Sequence, residues 1–188
     1  MTDDVIAVER LGNFMHGFAS TAKLQSRAGE SSSFIEFVCI SANIIDGLLR
    51  MGLILKNQLE HGSNDLIVEL LYQADEDSII SERQIYKRAL EARIINNELF
   101  NKLEGLYKQR NRCVHRYIIS EITYEEVLRI GLEYEEIQAV VSDEVKKLEI
   151  EQIEKSVGMT KEGSEGDTSI QEDINKMAQM KLGKLKLD

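Results

Sequence analysis

The sequence predicts an all-α protein, an up-and-down helical bundle of about five helices with a flexible C-terminal tail. Three observations predict it. The 188 residues contain no proline, the residue least tolerated inside a helix. Apolar residues recur at steps of three and four, which is the period of a helix face and not of a strand. Three runs, Ser33 to Glu36, Ser81 to Gln84 and Thr123 to Glu126, have the Ser/Thr-x-x-Glu/Gln pattern of a capping box that starts a helix.

The elements follow in order. Thr2-Asp3-Asp4 can cap a first helix over residues 4–26. Its stripe is Val8, Leu11, Met15, Phe18 and Ala22, and Gly12 and Gly17 weaken it or let a neighbour approach. His16 lies beside that stripe and reads as a surface or satisfied core histidine, not a catalytic one. After a turn at Ala28-Gly29-Glu30-Ser31-Ser32, the Ser33 box opens a helix that runs to about Gln58. It is apolar nearly all round, so it should be the most buried of the bundle. Glu36, Asn43, Asp46 and Arg50 form its narrow polar face, and Asp46 and Arg50, four apart, should pair. Those charges argue for a core helix and against a membrane span.

Beyond a loop around His61 and Gly62, residues 65–73 suggest a short helix. The Ser81 box opens a helix through Ile95, with Ile85, Leu90, Ile94 and Ile95 inward and Arg83, Lys87, Arg88 and Arg93 outward. Asn96-Asn97-Glu98 restarts the helix, which continues to about Tyr117. The Thr123 box opens the last long helix, 124–155, with Val127, Ile130, Tyr134, Ile137, Val141, Val145 and Leu148 on one face. At 1.5 Å per residue it is about 50 Å long, enough for its end to project. Residues 1–156 therefore read as one bundle, counting 4–26 as an extra N-terminal helix. Residues 157–188 read as a tail, with a flexible Gly/Ser/acidic linker at 158–167 and a weak amphipathic helix at 168–182. The tail is either disordered or a segment that folds onto a partner.

The N-terminus carries Asp3, Asp4 and Glu9 where a secretory signal would carry positive charge. Cys39 and Cys113 sit in apolar surroundings and read as small core residues in a reducing cytoplasm, with no spacing that suggests a metal site. The net charge of −10 argues against general nucleic-acid affinity. Its distribution is uneven. From Arg83 to Tyr117 nine Lys/Arg face three Glu, a net of +6, so the rest carries −16. That suits a bounded anion site, or equally a basic helix lying against an acidic one.

The most informative stretch is Leu106-Tyr107-Lys108-Gln109-Arg110-Asn111-Arg112-Cys113-Val114-His115-Arg116-Tyr117. On a helix, Leu99, Phe100, Leu103, Leu106, Tyr107, Cys113, Val114 and Tyr117 share one apolar stripe, and Arg110 falls in its middle. Burying that stripe buries a guanidinium, which needs an anionic partner. The candidates are an internal carboxylate, Asp46 or Glu36, or the phosphate of a ligand.

Arg110 and His115, followed by Tyr117, form Arg-x4-His-x-Tyr. This resembles the signature of the HEPN superfamily, all-helical domains that include metal-independent ribonucleases. The form ending in x-Tyr is similar to the HepT toxins. The resemblance is sharp over about a dozen residues, general over residues 31–155 and absent from the tail. It implies a HEPN-like bundle and an endoribonuclease that needs no metal or other cofactor. It also implies a homodimer with a composite cleft, the toxin half of a toxin–antitoxin or phage-defence pair. An MntA-type nucleotidyltransferase antitoxin that places AMP on Tyr117 is implied as the partner.

The residues fit that chemistry. RNA supplies its own 2′-hydroxyl nucleophile, so the protein needs a proton carrier and a cation at phosphorus. His115 suits the first task and Arg110 the second. Asn111 and Tyr117 can support them, and Lys108, Arg112 and Arg116 can guide the RNA backbone. On an ideal helix, however, Arg110 and His115 lie about 140° apart, at 100° per residue. Either the helix loosens near His115, or substrate sits over the helix end. The rival expectation is a non-catalytic helical interaction module, with the acidic helix or tail holding a protein partner, Arg110 sealed in an ion pair with Asp46 or Glu36, and His115 buried or facing away.

Overall fold

A computed structural model of the chain describes residues 3–74 and 78–161. Six helices make up the described fold: α1 (Asp3–Glu30), α2 (Phe34–His61), α3 (Val68–Leu71), α4 (Glu82–Glu91), α5 (Asn97–Arg116) and α6 (Tyr124–Lys155). The protein is an all-α bundle. The expected weak helix at 168–182 lies outside the described residues.

The bundle is built round α2. Val38, Ala42, Ile45, Leu49, Ile54 and Leu55 are fully buried, and even its Ser41 and Gln58 are sealed from solvent. By length and composition α2 is apolar enough to cross a membrane, with a mean hydropathy of 1.7, but 72% of its most apolar window is buried by its neighbours. The bundle's own core accounts for that apolarity. α6 runs parallel to α2. At one end the Phe34 and Tyr124 rings lie 5.1 Å apart; at the other, Gln152 Nε2 donates to the Leu55 carbonyl at 3.1 Å. α5 returns antiparallel to α6, so that Arg112, near the end of α5, reaches Glu126 at the start of α6.

Two of the three expected capping boxes form. Ser81 accepts from the Gln84 N–H and Thr123 from the Glu126 N–H, and each Gln or Glu side chain accepts the reciprocal cap N–H. The Ser33 box does not form. Ser32 takes a left-handed conformation (φ 56°), the Ser33 N–H donates to the Ala28 carbonyl, and the Ser33 hydroxyl accepts from Ser31. The tight α1–α2 turn therefore occupies Ser33, and Glu36 stays exposed. Residues 65–73 yield only the single turn α3. α4 stops at Glu91 and a turn carries Ile94 and Ile95 into the core.

α1 is longer than expected and buries only part of the expected stripe, Leu11 and Phe18, with Phe14 added. Leu11, Phe14 and Phe18 turn inward and Ala28 is buried, while Val8 is 64% exposed and Met15 also faces solvent. The glycine that matters is on the partner helix. A Cβ on Gly47 would lie 3.0 Å from the Phe18 ring, whereas one on Gly12 or Gly17 would meet nothing. Gly47 thus opens the notch that fixes the register of α1.

The end of α6 does not project. Gln152 is completely buried, donating to Gln58 Oε1 at 2.9 Å and accepting from the Thr160 N–H and hydroxyl. Gln58 Oε1 also accepts from the Met159 N–H. Residues 157–161, expected as tail and linker, are therefore clasped to the bundle. Gly158 allows this, because its φ is 78° and any Cβ would fall inside the Gln152 amide. Two substitutions test the clasp by urea unfolding. Gln152→Leu strands the Gln58 and Thr160 polar groups and should cost about 1–3 kcal/mol. Gly158→Ala should destabilise as well, while a clasp without energetic weight would leave both within about 0.5 kcal/mol of wild type.

Candidate functional site

The Arg110 site starts from Arg50. This residue is nearly buried in α2 and pairs with Asp46 at 2.6 Å, as its i,i+4 spacing predicts. Its other nitrogens donate to the carbonyls of Leu70 (3.3 Å) and Ile80 (3.0 Å). Arg50 thereby pins the segment ahead of α4 and sets where the Ser81 cap lies. The next residue, Glu82, points at α5, and there it pairs with Arg110.

The partner of Arg110 is therefore Glu82, not Asp46 or Glu36. Asp46 is taken by Arg50, and Glu36 lies on an exposed turn of α2. The pair is held in a half-buried seat, with the side chains 21% and 15% exposed. Tyr86, one turn along α4, donates its hydroxyl to the other Glu82 oxygen. The Arg110 guanidinium also lies 5.1 Å from the centre of the Tyr107 ring, a favourable cation–π distance. Burial pushes the Glu82 carboxyl up from its ordinary range, against the opposing pull of Tyr86 and Arg110. Burial raises Asp46 in the same way. It also raises the Tyr86 hydroxyl, with the Glu82 charge adding to the shift. Arg110 Nε and the hydroxyl of the fully buried Tyr134 are both enclosed without a hydrogen-bond partner among the described residues.

The other motif residues lie outside this seat. α5 continues unbroken to Arg116, so the helix does not loosen near His115, and the separation of about 140° from Arg110 stands. His115 is exposed, Asn111 is half-buried, and Val114 and Tyr117, expected on the buried stripe, are exposed. The buried stripe ends at Cys113, and residues 114–119 are exposed up to Ser120. Tyr117 lines a shallow groove of about 540 Å³ with Phe34, Ile35, Glu36 and Tyr124. Immediately after it, Ile118 and Ile119 are 96% and 81% exposed.

The basic stretch is largely neutralised within the fold. Arg83 pairs with Glu104, Lys87 with Glu91, Arg88 with Glu69 and Arg112 with Glu126. Lys108 and Arg116 make no ion pair among the described residues, so two of the three backbone-guiding candidates remain open. Cys39 is half-buried, Cys113 is buried, and both are free; burial raises both thiols. His16 and His61 are exposed. No group of three His, Cys, Asp or Glu among the described residues could hold a metal ion.

Sequence reasoning missed Glu82, Tyr86 and Tyr134 as parts of this site. Glu82 was hidden inside a capping box, although its i,i+4 spacing to Tyr86 was visible. Tyr134 read as an ordinary core residue. With the geometry in hand, comparison with known proteins adds nothing: no family model, no curated protein and no solved structure matches the chain.

The identity of the Arg110 partner can be tested by unfolding. Glu82→Ala should cost about 1–3 kcal/mol, because it leaves a half-buried guanidinium unpaired. Its effect should shrink in an Arg110→Ala background. Glu36→Ala should stay within about 0.5 kcal/mol. Equal losses at both glutamates would contradict the assignment.

Proposed function

We propose that the protein is a metal-independent endoribonuclease of HEPN type. It acts as a homodimer in the cytoplasm, as the toxin of a toxin–antitoxin or phage-defence pair. One observation carries the reading: Arg110 is held in a formed seat beside solvent while His115, five residues on, is exposed with no partner among the described residues. Arg110 steadies charge on phosphorus. His115 moves the proton between the 2′-hydroxyl and the leaving oxygen. Asn111 and Tyr117 support them, and Lys108 and Arg116 draw in the RNA backbone.

One chain presents Arg110 and His115 on different faces, so the cleft is composite. Val114, Ile118 and Ile119, close to His115 in the chain, are exposed, as are Tyr117, Ile35 and Tyr124, which share one groove, and exposed apolar patches mark protein contacts. A second copy docked there by two-fold symmetry brings the two motif ends together. Tyr117, on the rim, is where an MntA-type nucleotidyltransferase would add AMP. That bulky anion would fill the cleft and oppose Arg110.

The Arg110–Glu82 pair favours a second reading, a non-catalytic helical interaction module in which Arg110 is purely structural. The two readings part on activity. Purified wild-type protein in EDTA should cleave total RNA and leave cyclic-phosphate ends, while His115→Ala should lose about 10²-fold or more. No cleavage by protein shown by mass spectrometry to be free of AMP on Tyr117 would favour the interaction module.

The dimer surface has its own test in sedimentation. Ile118→Asp with Ile119→Asp should convert a dimer to a monomer of unchanged helicity, since both side chains are exposed. A dimer that survives both changes would place the interface elsewhere.

A further inference from the structure

We propose that Glu82 is both the positioning residue of Arg110 and the internal competitor for the phosphodiester that Arg110 receives; this inference rests on the ribonuclease reading. A guanidinium grips a phosphate with two nitrogens at once, either Nε with Nη2 along its side or Nη1 with Nη2 at its end. Nη2 belongs to both edges. Arg110 Nε is enclosed in protein, which closes the side edge to any ligand. The end edge remains, and Glu82 already accepts from its Nη2.

An arriving phosphodiester therefore finds Nη1 without a partner among the described residues and Nη2 shared with a carboxylate of its own charge. Full two-pronged binding requires Glu82 to yield Nη2 or lose its charge. Glu82 is itself restrained, because Tyr86 donates to its second oxygen and the Ser81 capping box fixes its backbone. It consequently holds Arg110 in place when no substrate is bound and opposes binding when substrate arrives. Burial raises the Glu82 carboxyl, so the fold already disfavours the charge that competes.

Glu82→Gln separates the two roles. The carboxamide oxygen can still accept from Nη2 and hold the side chain, but the negative charge is gone. The probe is a short oligodeoxythymidylate, whose phosphodiesters lack the 2′-hydroxyl and cannot be cleaved. Binding to the full-length chain is read by fluorescence anisotropy at one fixed salt concentration. Glu82→Gln should bind about tenfold more tightly than wild type, as expected from removing a like charge a few ångströms from the phosphate. The gain should vanish in Glu82→Gln/Arg110→Ala. If the Gln variant does not fold, Glu82→Asp withdraws the carboxylate by one methylene and should also tighten binding.

Two results overturn the proposal, and they differ. If Arg110→Ala weakens probe binding but neither Glu82 variant strengthens it, Glu82 does not compete, and the ribonuclease reading stands. If no protein in the series shows binding that depends on Arg110, both the inference and the ribonuclease reading fall.

Discussion

A guanidinium set in the apolar face of a helix must meet a carboxylate, and much of this bundle is arranged so that Arg110 does. The carboxylate comes from Glu82, the first residue of α4. Its position depends on the Ser81 cap, and the cap depends on Arg50 holding the Ile80 carbonyl from inside α2. Two arginines and two acids thus form neighbouring half-buried pairs, each acid raised by its own burial. The arrangement is costly in desolvation. It yields a cation held at a fixed place beside solvent, which is what anion recognition needs.

The same geometry defines what a single chain lacks. A helix that stays regular to Arg116 cannot turn His115 toward Arg110. Just past the end of α5, Ile118 and Ile119 are exposed, and Lys108 and Arg116 have no ion pair among the described residues, which leaves apolar and basic groups available to a missing half. In the proposed reading, dimerisation is therefore part of the chemistry and not an accessory to it.

The fold was largely legible because its signals are local. The steps of three and four in α6 place Val127, Ile130, Tyr134, Ile137, Val141 and Val145 inward, as the structure has them. The Ser81 and Thr123 boxes depend on four consecutive residues and form as read. Failures came where a distant group decided the outcome. Ser33 lost its cap to a left-handed Ser32, and the register of α1 was set by a notch at Gly47 that no pattern within α1 reveals. The burial of Arg110, its need for an anion and the claim of Arg50 on Asp46 were readable, but the choice of Glu82 was not, because it depends on how the start of α4 packs against α5, 28 residues away in the chain. Nothing local to the sequence marks Gln152 or Gln58, and only the return of residues 157–161 makes them a clasp.

The most direct test of a composite cleft is complementation between two inactive chains. Arg110→Ala and His115→Ala proteins are purified separately, mixed, briefly unfolded and refolded together, and assayed for RNA cleavage. The mixed dimer carries one intact Arg110 and one intact His115, on opposite chains. If the cleft is shared, the mixture regains cleavage that neither protein has alone. If the mixture stays as inactive as its components while wild type, taken through the same refolding, remains active, each chain works by itself and the shared cleft is wrong.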